Sequence, residues 1–189
     1  MDICVYRLQE EDTIEEEDES GDFASFQLMP LPHKTLHGLW EALVYEESIK
    51  SDLLNYVYTA MLFSQKAVNP HIIGWNRVVL LHGPPGTGKT SLCKALAHKL
   101  AVRLRRTYAS YDLVEINAHS LFSKWFSESG KLVMKMFGAI RELAADPQRF
   151  VCILIDEVER LTAARSKAMQ GSEPSDAIRV VNAVLTELD

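Results

Sequence analysis

Between residues 36 and 63, apolar side chains return at the spacing of one helix face: Leu39, Leu43 and Val44, then Ile49, Leu53 and Leu54, then Val57, Met61 and Leu62. A helix turns once in about 3.6 residues, so the pattern predicts two helices with a break near Glu46 to Ser48. Asn69-Pro70 closes the second, because a proline pushes the residue before it out of the helical region. From residue 78 the pattern alternates. Residues 78–82 (VVLLH) form a continuous apolar run, as in a strand buried on both faces of a parallel sheet. A helix from Gly88 follows, with Leu92, Ala95, Leu96 and Leu100 on one side. Residues 113–117 (LVEIN) predict a second strand, and residues 130–145 a helix with Leu132, Met136, Phe137, Ile140 and Leu143 inward. Residues 151–156 (VCILID) predict a third strand. A last helix runs from Ser175, a plausible N-cap, through Ile178, Val181, Val184, Leu185 and Leu188. Strand and helix in alternation mean an α/β fold with helices layered on both faces of a parallel sheet and right-handed crossovers.

The N-terminal part reads differently. Residues 3–8 have the composition of a short strand, with no partner close in sequence. Residues 10–22 are dense in carboxylates that repel one another and bury little, which predicts a disordered loop or linker. An acidic interaction tail is the alternative. Pro30 and Pro32 punctuate the entry to the folded region.

Composition narrows this picture only slightly. A chain of 189 residues, 47% hydrophobic and 24% charged, is close to the globular average and has room for one domain. A net charge of -6 argues against broad nucleic-acid binding, which needs surplus Lys and Arg, though not against a local basic groove. Cys4, Cys93 and Cys152 have neither zinc spacing nor a disulfide framework. Cys93 and Cys152 read as small buried hydrophobes, and a reducing compartment follows as the expectation. The N-terminus lacks the basic and apolar regions of a secretory signal, and no apolar run is long enough for a bilayer.

Chemistry enters with Gly83, Pro84, Pro85, Gly86, Thr87, Gly88, Lys89 and Thr90, a GPPGTGKT segment between a predicted strand and helix. It fits the phosphate-binding loop pattern, followed by Ser91 in the helix's first turn. Glycines let the backbone curl with its N–H groups inward as an anion nest, and the helix adds the positive end of its dipole. Lys89 would reach the β- and γ-phosphates of ATP, and the Thr90 hydroxyl would bind Mg²⁺. The bland reading is a glycine-rich turn, but a chance match in this length is rarer than about one in a hundred. The strand at 151–156 then ends in Asp156 and Glu157, placing two carboxylates at the sheet edge where α/β proteins hold ligands. Asp156 would hold Mg²⁺ through water, and Glu157 would orient the water that attacks the γ-phosphate. In residues 121–131 (LFSKWFSESGK), Phe122, Trp125 and Phe126 either pack as an apolar helix face or form an exposed gripping loop. Arg103, Arg105 and Arg106 complement a helix C-terminus and stay solvated. The six histidines contain no HExxH pair.

Together GPPGTGKT, SKWFSESGK, VCILIDEVE and EPSDAIRVVNAVLTELD resemble the AAA+ ATPases, and more narrowly the pachytene checkpoint protein 2 (thyroid receptor-interacting protein 13) family. The likeness spans residues 36–189. It implies the large subdomain of a P-loop NTPase of three α/β/α layers, with ATP and Mg²⁺ as cofactors. It also implies a homo-hexameric ring that hydrolyses ATP to remodel HORMA-domain proteins, delivered by an adaptor, in checkpoint control and on meiotic chromosomes. The expected location is the nucleus and chromosomes, and also the cytoplasm; neither direct nucleic-acid binding nor a membrane is expected. By the same resemblance Lys124, Trp125 and Phe126 are client-gripping pore residues, and a second loop at 166–174 faces the pore.

Residues 1–32 then read as the remnant of an N-terminal domain plus an acidic linker, and 33–189 as an incomplete large subdomain. In the family, a further strand with a polar sensor residue lies between the P-loop strand and the strand ending at Asp156. Arginine fingers and a helical lid follow it. Two central strand edges are therefore expected to lack backbone partners here. Two alternatives remain: a nucleic-acid-dependent P-loop ATPase, and a fragment that binds nucleotide without hydrolysing it.

Overall fold

The computed structural model describes residues 5–11, 13–15, 26–69, 72–74, 76–117 and 129–158. In chain order its elements are β1 (Ile14–Glu15), β2 (Gln27–Pro30), a 3-10 turn (Lys34–Leu36), α1 (Leu39–Ala42), α2 (Glu47–Gln65), α3 (Lys89–Leu104), β3 (Ser110–Asn117), α4 (Ser129–Ala144) and β4 (Arg149–Asp156). The last predicted helix, residues 121–128 of the aromatic segment and the second loop at 166–174 lie outside the described residues.

The sheet is ordered β1-β2-β3-β4. β3 and β4 pair in parallel from Ser110↔Arg149 to Asn117↔Asp156, so both end at one level. β2 adds to the other side of β3 antiparallel, with Leu28 opposite Val114 and Met29 opposite Leu113. The sheet is therefore mixed, parallel only at β3–β4. The strand β2 is not marked by the sequence pattern, in which Pro30 reads as punctuation; the proline is accommodated because the next residue, Leu31, supplies the β3-facing donor to the Tyr111 carbonyl at 2.8 Å.

Strand alternation sorts the side chains into two layers. On one face, Tyr111, Leu113 and Leu154 meet Leu92, Ala95, Leu96 and Leu100 of α3, backed by Trp40 of α1 and Leu53 and Leu54 of α2. On the other, Val114, Ile116, Phe26 and Leu28 meet Met136, Phe137 and Ile140 of α4. This is the α/β/α layering expected. Alanines on the inner stripe of α3 (Ala95, Ala97, Ala101) are almost wholly buried, which lets the helix lie close to the sheet. Each large side chain so buried contributes about 1.5–3 kcal/mol of transfer free energy.

The break between the two N-terminal helices falls at 43–46, before the expected 46–48, and the first helix is only one turn. Val44 points away from the core at 92% exposure, and Ile49 and Leu62 are exposed too. The helical stripe of α2 is carried instead by Leu53, Leu54 and Ala60, with Val57 and Met61 packed beside them.

The main departure concerns residues 78–82. They carry no strand assignment, and Val78, Val79 and Leu80 are exposed. A central strand needs a hydrogen-bonded neighbour on each edge, and no described strand lies beside this run or on the far edge of β4. Without that ladder the apolar pattern alone does not make a strand.

Near the N-terminus, residues 5–8 form no strand; the chain is tied instead by a Gln9–His33 bridge and by Arg105, which donates to the Val5 carbonyl. Arg105 is thus engaged rather than solvated. Within the acidic segment, Ile14–Glu15 pairs with β2, and Glu10 meets Lys34 at 3.2 Å. Among the described residues no helix is long and apolar enough to cross a membrane.

Candidate functional site

The loop of residues 83–88 leaves the unpaired run and opens directly onto α3. Gly86 (φ +75°) and Gly88 (φ +78°) both occupy the left-handed region, where a side chain would be strained. Gly88 is the N-cap of α3, and no side chain caps that end. Its carbonyl accepts from Leu92 N–H at 2.8 Å, which leaves the first-turn amides of Lys89, Thr90 and Ser91 facing out of the helix start. The tip, Pro84, Pro85, Gly86 and Thr87, is exposed. Thr87 Oγ1 closes the turn onto the Pro84 carbonyl at 2.9 Å. Lys89 Nζ lies across the loop, donating to the carbonyls of Gly83 (3.0 Å) and Pro84 (2.8 Å).

The second half of the site is delivered by β4. Phe150, Cys152 and Leu154 face α3, so the pleat turns Asp156 toward the same helix. Thr90 Oγ1 donates to Asp156 Oδ2 at 2.9 Å, across 66 residues of sequence. The other oxygen, Asp156 Oδ1, accepts the N–H of Glu157 at 2.9 Å. Glu157 has φ +57°, a left-handed position costly for a residue with a side chain, and it is where the chain leaves the sheet. The structure thus brings Gly83–Thr90 and Asp156–Glu157 to one end of the α3–β4 contact. Lys124, Trp125 and Phe126 lie outside the described residues.

The donor set suits a magnesium nucleotide. A hydroxyl and a carboxylate oxygen already share one point, both hard ligands of the kind Mg²⁺ takes. Beside them sit a backbone nest, a helix N-terminus and an ammonium, all of the sign that a polyphosphate requires.

Two cysteines underlie this point. Cys93, one turn along α3 from Thr90, has its thiol pushed above the usual range by burial and then by the charge of Asp156. Cys152 is pushed up to about 12 by burial, with Cys93 adding to it. Both are half-buried packing groups with neutral thiols.

Sequence reasoning missed Tyr45. Its hydroxyl donates to the carbonyls of Thr87 (3.0 Å) and Gly88 (3.1 Å) from the break between α1 and α2. Nothing in a one-dimensional pattern marks it, since the contact spans more than 40 residues.

Comparison with known proteins identifies the chain's relatives. The model of the ATPase family associated with various cellular activities (AAA) matches residues 79–189. The pachytene checkpoint protein 2 homolog of Xenopus tropicalis is 60% identical over 189 residues, covering 99% of this chain and 44% of that protein. The structure of C. elegans PCH-2 superposes with a TM-score of 0.79 at 45% identity, over 98% of this chain and 43% of that one. The E. coli MS115-1 HORMA:CdnC:Trip13 complex contains a chain with a TM-score of 0.67 at 21% identity, covering 86% of this chain and 56% of its own. That last likeness shows the fold alone. The chain spans less than half the length of the curated relatives it matches.

Proposed function

Because this chain belongs to the AAA family of ATPases, we propose that it binds ATP with Mg²⁺ in the loop of residues 83–90 and serves a machine that remodels HORMA-domain proteins. The observation that carries the nucleotide reading is the 2.9 Å bond between Thr90 and Asp156 at the mouth of the glycine loop. It supports a common Mg²⁺ site for two residues 66 positions apart. When bound, Mg²⁺ would offset charge on the phosphate oxygens. The chain's own groups do the rest. Loop amides and the α3 N-terminus hold the phosphates. Lys89 exchanges its carbonyl partners for the β- and γ-phosphates, Ser91 supports the first turn, and Glu157 takes a proton from the attacking water.

The client and the biology are further proposals. HORMA-domain remodelling rests on the likeness to pachytene checkpoint protein 2 homologues. With it go a homo-hexameric ring, an adaptor, Lys124, Trp125 and Phe126 as client-gripping residues, roles in meiosis and the spindle checkpoint, and a nuclear as well as cytoplasmic location. A nucleic-acid-driven ATPase fits less well with a net charge of -6.

The test is a titration of a fluorescent ATP analogue with Mg²⁺ into residues 1–189. Saturable binding that Lys89→Ala abolishes is expected, because each charge-assisted phosphate contact contributes about 1.5–3 kcal/mol. Unchanged affinity in that variant would end the assignment. In a chain of the relatives' length, Glu157→Gln should bind ATP and stall, and normal turnover would remove Glu157 from the chemistry.

A further inference from the structure

We propose that Tyr45 is a positioning residue for the phosphate loop: its hydroxyl holds the Thr87 and Gly88 carbonyls outward, so that the amides sharing their peptide planes face the phosphates. This rests on the nucleotide reading above.

The argument starts from the peptide bond. In a trans peptide the C=O of one residue and the N–H of the next point in opposite directions in one plane. Fixing the Thr87 carbonyl therefore fixes the Gly88 N–H, and fixing the Gly88 carbonyl fixes the Lys89 N–H. Those two amides lie at the junction of the nest and the α3 N-terminus, where a phosphate is gripped. A tyrosine hydroxyl has one proton, and here it is shared between two carbonyls at 3.0 and 3.1 Å. The Gly88 carbonyl keeps its helical partner, Leu92 N–H, on its other lone pair.

Gly88 is shaped to this neighbour. A Cβ there would sit 2.7 Å from the Tyr45 oxygen, too close for any real side chain, and φ is already left-handed. Position 88 therefore needs glycine for the turn and again for the approach of Tyr45.

The tyrosine is also anchored from behind. It sits in the non-helical joint 43–46, where Val44 is almost fully exposed while Leu43 and Tyr45 itself pack against the core. The joint is fixed further by Lys50 from the first turn of α2, which donates to the carbonyls of Trp40 and Leu43 and stands 5.3 Å over the Trp40 ring. Trp40 is in the core against α3. A closed path thus runs from α2 through the joint to the nucleotide loop, and through Trp40 back to the helix that starts at that loop.

The experiment compares Tyr45→Phe with the unmodified chain for two probes, ATP and inorganic tripolyphosphate, each with Mg²⁺, alongside the ligand-free melting temperature. Both affinities should fall by the same factor, about three- to tenfold, the range one neutral hydrogen bond supports. The ligand-free melt should hardly move, which a merely structural role would not allow. Lys50→Met should weaken tripolyphosphate in the same direction and by less. Unchanged tripolyphosphate affinity in Tyr45→Phe overturns the proposal, and a loss confined to ATP overturns it in favour of a contact with the base. Should the variant melt lower, titration well below its midpoint decides by the same ratio. Lys89→Ala keeps the two readings apart: binding lost there but intact in Tyr45→Phe sinks Tyr45 alone, whereas an unmodified chain that binds neither probe sinks both.

Discussion

Residues 78–82 (VVLLH) and 151–156 (VCILID) have nearly the same pattern, and the chain treats them differently. The second becomes β4, paired along its whole length with β3 and packed on both layers. The first has no ladder, and its middle residue, Leu80, is 67% exposed. Both runs precede site residues: 78–82 leads into the glycine loop, and β4 ends in Asp156. What separates them is a neighbour. An apolar run carries as many backbone donors and acceptors as apolar side chains, and burial stabilises it only once those polar groups are paired. β3 has partners on both edges and is the best-buried strand, whereas β4 has one described partner and keeps Ile153 exposed.

The sharpest way to test this contrast is to remove mass from its buried side. Leu113, 1% exposed at the centre of β3, touches the layer formed by α3. Leu113→Ala should cost about 2–5 kcal/mol, the usual range for a fully enclosed leucine. Urea unfolding read as a shift in midpoint at constant slope would measure it. A cost below about 1 kcal/mol would mean that β3 is not the organising strand and that the comparison is drawn in the wrong place.

The same contrast says what could be read without coordinates. The stripe Leu92, Ala95, Leu96 and Leu100 was legible because helix periodicity is local, and so was the placement of Met136, Phe137 and Ile140. The glycine loop was legible because its chemistry dictates residue types at fixed spacing. Three features were not. The strand at 27–30 depends on an antiparallel edge of β3 some 85 residues away, and its Pro30 is tolerated because Leu31, not Pro30, supplies the β3-facing donor. Residues 78–82 have no paired neighbour among the described residues, and a pattern within the run does not contain that information. Tyr45 reaches Thr87 and Gly88 only after two helices and a loop have been placed.

A smaller effect is expected from His98, on the buried stripe of α3. Its Nδ1 has no hydrogen-bond partner among the described residues. Burial lowers its pKa, helped by His37, Lys99 and His33 and opposed by Glu41. The sign follows from linkage. The unfolded chain takes up a proton near the ordinary value of 6.5 while the folded chain resists it, so stability is intact above that pH. It is lost as pH falls through 6.5 and levels off below the folded value. Comparing urea midpoints at pH 7.5 and 5.5, His98→Leu should lose less between the two than the unmodified chain does. An identical loss in both would place the acid sensitivity elsewhere.

The smallest expected effect is the most discriminating. Leu80→Ala removes the same atoms as Leu113→Ala, from a run of the same apolar character, so side-chain chemistry is held constant and only the surroundings differ. Because Leu80 is mostly in solvent and its backbone joins no ladder, the change should stay within about 0.5 kcal/mol. A cost of about 2 kcal/mol or more would mean that residues 78–82 are buried against something in solution. The run would then be a strand after all, with a partner supplied by another copy or by another segment. A near-zero value beside a large one at Leu113 would establish that hydrogen-bonded neighbours, rather than hydrophobicity, decide which of the two runs carries the fold.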